Sequence, residues 1–214
     1  GMGGLSKGEV ASATVINAFE HWVYNELPAM CNSPIQEEII NLQWKSILVS
    51  QNNIIKNYGA SHGVQLGTTA VVMLITEENY YIMNVGDSRA YEITDRIRQI
   101  TEDQTFVARE VAVGNMTPEQ AEVDPRRSVL LQCIGASAEV YPDFFTGKTI
   151  CDAVYMLCSD GFRHEIKANE IYEKFSPDVL LDDTTMNSNS LELIELNKAR
   201  HERDNISVML IRTY

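Results

Sequence analysis

The hydrophobic period of this chain changes near residue 67, and that change limits the possible folds more than any other feature. Before it, apolar residues recur at helical spacing. Val15, Phe19 and Trp22 run beside Ile16, Val23 and Leu27 over residues 8–27. Ile35, Ile39, Leu42, Ile47 and Ile54 follow in a segment opened by Pro34. Positions three and four apart share one helix face, so two amphipathic helices are expected, the second ending before Tyr58-Gly59. After residue 67 the apolar runs shorten to strand length, at 70–75 and 80–85 around a Glu77-Glu78-Asn79 turn. Residues 89–93 and 96–100 flank Thr94-Asp95 as a hairpin.

The stretch 105–125 reads as helix or loop punctuated by Gly114 and Pro118, and 129–134 and 139–145 read as strands. An apolar strand at 153–158 runs into Ser159-Asp160-Gly161. A helix at 169–175, a polar loop at 182–190, a helix at 191–200 and a closing strand at 205–211 complete the chain. Helices, a block of strands, helices and a last strand imply an α+β fold, antiparallel sheet with helices packed outside, over a single domain at 1–214.

Composition removes several classes. With 44% hydrophobic and 22% charged residues, the chain buries a real core and is not disordered. No apolar run reaches membrane-spanning length and the N-terminus lacks a secretory pattern, so no membrane association and a cytoplasmic location are expected. A formal charge of −13 repels a phosphate backbone before contact, which argues against nucleic-acid binding. Cys31, Cys133, Cys151 and Cys158 form no C-x-x-C pair and sit in apolar surroundings, so buried free thiols are expected.

Two aspartates stand next to buried strands. Asp160 follows the run 153–158, with Gly161 expected to turn the backbone sharply, and Asp204 precedes the last strand. Carboxylates held at rigid strand ends suit a hard cation such as Mg²⁺ or Mn²⁺, which takes oxygen ligands and keeps several waters. Taken singly, an S-D-G or a D-N is ordinarily a turn or a helix cap. His21 and His62 have no partners at ligand spacing. His164 and His201 lie near the two aspartates in sequence and are read as surface side chains, with a supporting role behind the aspartates open. Gly67-Thr68-Thr69 lacks the glycine spacing and lysine of a nucleotide loop.

Order adds what single motifs lack. Gly1-Met2-Gly3-Gly4, Gly67-Thr68-Thr69-Ala70, Val85-Gly86-Asp87-Ser88-Arg89-Ala90, Ile100-Thr101-Glu102-Asp103, Cys158-Ser159-Asp160-Gly161 and Asp204-Asn205-Ile206-Ser207-Val208 follow one another along the chain. This ordered set resembles the metal-dependent protein phosphatases of the 2C type in their bacterial form, from Gly1 to Ile211. The resemblance implies two antiparallel β-sheets packed as a sandwich flanked by helix pairs. It implies a metal-dependent phosphoprotein (Ser/Thr) phosphatase that uses water and no covalent intermediate, with two or three Mn²⁺ or Mg²⁺ sites. Its partners would be phosphoprotein substrates and a Ser/Thr kinase. By the motif match Asp160 and Asp204 are direct ligands, Gly1 offers its carbonyl, and Asp103 helps hold a third ion. Residues 107–127, with Gly114, Met116 and Thr117, correspond to a flap near the site. Asp87 and Arg89 are expected to fix a turn through hydrogen bonds and an ion pair.

The pattern departs from the family at its start. The bridging aspartate that normally precedes the first glycine is absent, as are the first strands, their arginine and a Glu-Asp pair, and Leu5 stands where many relatives have a histidine. A leucine cannot donate a proton to a leaving group. On the resemblance, this loss weakens two-ion binding, leaves a single weak ion on Asp160 and Asp204, and uncovers sheet edges that a homodimer could mask. Two explanations stay open: an internal methionine taken as the start of a longer working phosphatase, or a truncated pseudophosphatase acting as a binding module.

Overall fold

The computed structural model describes Gly1, residues 7–31 and residues 34–214. The expectations placed on Gly3, Gly4 and Leu5 lie outside the described residues. In order the chain forms α1 (Gly8–Asn25), α2 (Leu27–Met30), α3 (Glu37–His62), β1 (Ala70–Ile75), β2 (Asn79–Val85), β3 (Arg89–Ile93) and β4 (Ile97–Gln99). There follow α4 (Phe106–Ala112), α5 (Pro118–Val123), β5 (Asp143–Lys148), β6 (Ala153–Cys158), α6 (Asp160–Arg163), α7 (Ala168–Phe175), α8 (Asp183–Ala199) and β7 (Val208–Thr213). The strands make a three-stranded sheet, β1-β2-β5, and a four-stranded sheet, β4-β3-β6-β7. The expected α+β class, two antiparallel sheets with helices, is what the chain forms.

Two compact units divide the chain. The first comprises Gly1–Leu74, Tyr81–Gly86 and Gln104–Thr146. Its core is built by the stripe read from the sequence: Val15, Phe19 and Trp22 of α1 meet Trp44 and Leu48 of α3, with Tyr81, Met83 and Val85 of β2 in the same cluster. Trp22 and Trp44 pack edge-on with centroids 5.5 Å apart, and the Trp22 indole donates to Gln43 Oε1 at 2.7 Å. Such pairs add to the burial of their large apolar area; the Trp22 polar handle is satisfied, whereas among the described residues the buried Trp44 Nε1 has no partner.

Three boundaries differ from expectation in this unit. Helix α3 does not stop before Tyr58-Gly59 but continues to His62, because Tyr58 stacks on His62 one turn later, 4.1 Å between centroids. It ends at Gly63, whose φ of 64° is the left-handed conformation glycine adopts freely. The strand expected at 129–134 is reduced to isolated bridges, Thr105 with Leu130 and Thr68 with Ile134. The strand expected at 139–145 begins only at Asp143. Upstream, the Gln132 side-chain amide takes both backbone bonds of Tyr141, accepting from its N–H at 2.8 Å and donating to its carbonyl at 2.7 Å.

The second unit comprises Ile75–Tyr80, Asp87–Asp103 and Gly147–Tyr214. Strand β6 is central in its sheet, antiparallel to β3 on one side (Tyr91 opposite Met156) and to β7 on the other (Cys158 opposite Val208). Alternation sends Val154, Met156 and Cys158 into a core with Phe162, Ile171, Phe175 and Leu193. On the other face Tyr155 packs near Tyr80, centroids 5.6 Å apart.

The polar run 182–190, expected as a loop, is the first half of α8. Asp182 caps that helix by accepting the Thr185 N–H at 2.7 Å, and the buried Asn189 donates to the Lys174 carbonyl at 2.8 Å. Of the cysteines, Cys133 and Cys158 are buried free thiols as expected, whereas Cys31 and Cys151 are exposed. Among the described residues no helix is long and apolar enough to cross a membrane.

Candidate metal centre

The pairing of β6 with β7 brings Asp160 and Asp204 together. One strand ends at Cys158 and the other starts at Val208, directly opposite, so the residues just beyond them share one end of the sheet. Ser159 ties the two loops. Its N–H donates to the Ser207 carbonyl at 3.0 Å, its hydroxyl donates to the Asn205 carbonyl at 3.1 Å, and the hydroxyl oxygen accepts the Ser207 N–H at 3.0 Å. Gly161 lets them close. A methyl group there would lie 2.6 Å from the Asn205 carbonyl oxygen and 3.3 Å from Asp204 Cβ. The glycine therefore serves close approach inside α6 rather than the sharp turn expected from S-D-G.

Each aspartate uses one oxygen on a neighbouring backbone N–H: Asp160 Oδ1 accepts from Gly161 at 2.9 Å, and Asp204 Oδ1 accepts from Asn205 at 2.7 Å. Among the described residues the second carboxylate oxygen of each accepts no hydrogen bond, which leaves it for another ligand. Glu202 braces both. Its Oε1 accepts the N–H of Arg203 at 2.6 Å and of Asp204 at 2.8 Å, while its Oε2 lies 3.2 Å from His164 Nδ1. The other ring nitrogen of His164 is 4.0 Å from Asp160 Oδ2. Burial raises the Glu202 carboxyl, but the two N–H groups and His164 outweigh it and hold the group below the ordinary glutamate value.

Asp87, Arg89 and Asp103 belong to the same unit. Arg89 donates through Nε and Nη2 to both oxygens of Asp103, each at 2.7 Å, so this ion pair fixes the turn against the residues after β4. Arg163, on α6, donates through Nη2 to the Asp87 carbonyl at 3.1 Å and to Asp103 Oδ2 at 3.3 Å, and lies 4.0 Å from Asp87 Oδ2. Asp87 is 8% exposed. Burial first, then the Asp160 carboxylate, push it up to about 6, against the pull of Arg163 and with a further push from Asp103. Burial also drives the Cys158 thiol up to about 12, so no thiolate stands at the strand end.

Gly1 is exposed and belongs to the first unit. Gly114, Met116 and Thr117 also lie in that unit, in the joint between α4 and α5. Gly114, at φ 78°, closes α4 with its N–H on the Val111 carbonyl and the Asn115 N–H on the Glu110 carbonyl. Thr117 opens α5 with a reciprocal capping box to Gln120.

Among the described residues no three His, Cys, Asp or Glu side chains form a ready-made ion cage. The donor chemistry nevertheless fits a hard divalent cation at Asp160 and Asp204, since such ions are held by one or two carboxylates with water completing the shell. Arg163 and Glu202 are the features that sequence reasoning missed, and His164, for which a supporting role was open, pairs with Glu202. The signal was their spacing: three and four residues after Asp160 on one turn, and two before Asp204.

Comparison with known proteins bears on the family of the chain. Residues 34–109 match the family described as Protein phosphatase 2C. A serine/threonine phosphatase, stp, of Listeria monocytogenes is 28% identical over 213 residues, covering 99% of this chain and 81% of that protein. The crystal structure of serine/threonine phosphatase Stp1 from Staphylococcus aureus superposes with a TM-score of 0.84 at 30% identity, covering 100% of this chain and 81% of that one. The catalytic domain of serine threonine protein phosphatase PstP in complex with two manganese ions gives a TM-score of 0.75 at 27% identity, covering 98% of this chain and 83% of that one. With a 30% identical relative matched over four fifths of its length, the chain belongs to the protein phosphatase 2C family, among the bacterial serine/threonine phosphatases.

Proposed function

We propose that this chain hydrolyses phosphoserine and phosphothreonine in proteins, in the cytoplasm, and that Asp160 and Asp204 hold the divalent cation, Mn²⁺ or Mg²⁺, that the reaction needs. The observation that carries the reading is the side-by-side placement of the two aspartates by the β6–β7 pairing, with Gly161 leaving the room. The bound ion supplies positive charge against the phosphoryl oxygens and lowers the proton affinity of a water nucleophile. The chain's own residues hold and orient. Asp160 and Asp204 present oxygens, and Glu202 fixes the Asp204 loop through two backbone N–H bonds. His164 sits between Glu202 and Asp160. Burial keeps the Cys158 thiol at the strand end protonated, so it does not compete with water. The manganese-bound PstP domain supports a divalent ion for this chain. The substrates are then the products of protein serine/threonine kinases.

Release of inorganic phosphate from a phosphothreonine peptide and a phosphotyrosine peptide tests the proposal, each with Mn²⁺ and with chelator. Turnover of the phosphothreonine peptide with Mn²⁺ and none with chelator is expected. Equal rates on the two peptides, or turnover in chelator, would contradict it.

A further inference from the structure

We infer that Arg163 is a built-in counter-cation which takes the place of a metal ion at Asp103, so that Asp103 is not a metal ligand in this chain. The family resemblance assigns Asp103 to a third ion, and the residues around it do not fit one. Both Asp103 oxygens accept from the Arg89 guanidinium at 2.7 Å, and Oδ2 accepts from Arg163 as well, at 3.3 Å. Arg163 Nη2 is also anchored on the Asp87 carbonyl at 3.1 Å. Its side chain is 14% exposed, which keeps water from screening the charge.

A divalent ion binding Asp103 would need about 2.1 Å to its oxygen and would stand within a few ångströms of both guanidinium groups. Arginine cannot relieve that repulsion by losing its proton, as a lysine could. Among the described residues the buried Nε of Arg163 has no hydrogen-bond partner. The guanidinium is thus held by its charge contacts at the expense of a donor, which is how a counter-ion behaves rather than a packing residue. Two positive groups against Asp87 and Asp103 neutralise this side of the cluster, while Asp160 and Asp204 keep oxygens for an ion. The inference rests on the reading of Asp160 and Asp204 as the ligands.

Counting Mn²⁺ bound per folded chain by electron paramagnetic resonance tests it, for the wild type, Asp103→Asn, Arg163→Ala and the double variant, with circular dichroism reporting folding. The count is expected to be the same in wild type and Asp103→Asn. It should rise by one weak ion in Arg163→Ala and fall back in the double variant. A drop in Asp103→Asn alone, or no gain in Arg163→Ala while the wild type binds Mn²⁺, overturns the inference and leaves the Asp160–Asp204 centre standing. No Mn²⁺ on any of the four chains overturns both. If Arg163→Ala fails to fold, the Asp103→Asn count decides: unchanged supports the inference, lowered overturns it.

Discussion

A carboxylate that is 8% exposed beside two other carboxylates must find positive charge or keep its proton, and Asp87 does some of each. In the unfolded chain it titrates near 3.8, and in the folded chain at about 6. Below pH 3.8 the group is protonated in both states and costs nothing. As pH rises to about 6 the folded state alone retains the proton, so stability from this group is lost over that window and stays lost above it. Asp87→Asn should therefore stabilise the metal-free chain at pH 7.5 by about 1–2 kcal/mol, a discounted share of the shift. Denaturant melts across pH check this: the gap between variant and wild type should open over the acid window, and a gap independent of pH would contradict it.

His164 acts at the same scale. Removing a group that orients a ligand costs metal affinity rather than fold, so His164→Ala should weaken Mn²⁺ binding about tenfold. Its melting temperature in chelator should match the wild type. An unchanged Mn²⁺ isotherm would leave the histidine without a role. The place of Asp160 could be read from the sequence because an apolar strand announces where it ends. The last strand starts at Val208 and not at the expected 205, so Asp204 lies in the loop before it. Arg163 could not be read, because its partners Asp103 and Asp87 are 60 and 76 residues away and only the β3–β6 pairing brings them near.

At the scale of elements, the β6–β7 pair is what turns two distant motifs into one site, and Gly161 is its tightest point. Gly161→Ala places a methyl 2.6 Å from a backbone carbonyl that a side-chain rotation cannot move. The loops must part, at about 2 kcal/mol of stability. A calorimetric melt and a Mn²⁺ titration should both show loss; full affinity in this variant would mean the loops need not be close. The short apolar runs at 70–75 and 153–158 were legible to the residue: burial on both faces of β6 leaves a continuous hydrophobic signature, and β1 carries the same signature although its residues are only half-buried. Helix α8 was not, because Asn, Ser and Thr at 184–190 carry loop propensity that tertiary bonds override. The same holds in reverse for 129–134, whose strand-like residues find bridges but no ladder.

At the scale of the whole molecule, each unit has its own core, and the candidate centre belongs wholly to the second. The net charge of −13 gives a divalent cation a favourable field to enter, which a polyanion lacks. The class of fold followed from the change of period at residue 67, but the grouping of Asp87, Asp103, Asp160 and Asp204 in one unit required the strand order β4-β3-β6-β7. Under the proposed function, Asp160 and Asp204 hold the ion on which phosphate release depends. The most direct test is the Mn²⁺ dependence of phosphate release for wild type, Asp160→Asn and Asp204→Asn at matched folding. Release is expected to saturate with Mn²⁺ in the wild type and to fall at least about a hundredfold in either variant, the scale of losing an electrostatic anchor in a transition state. Release undiminished in either variant would contradict it.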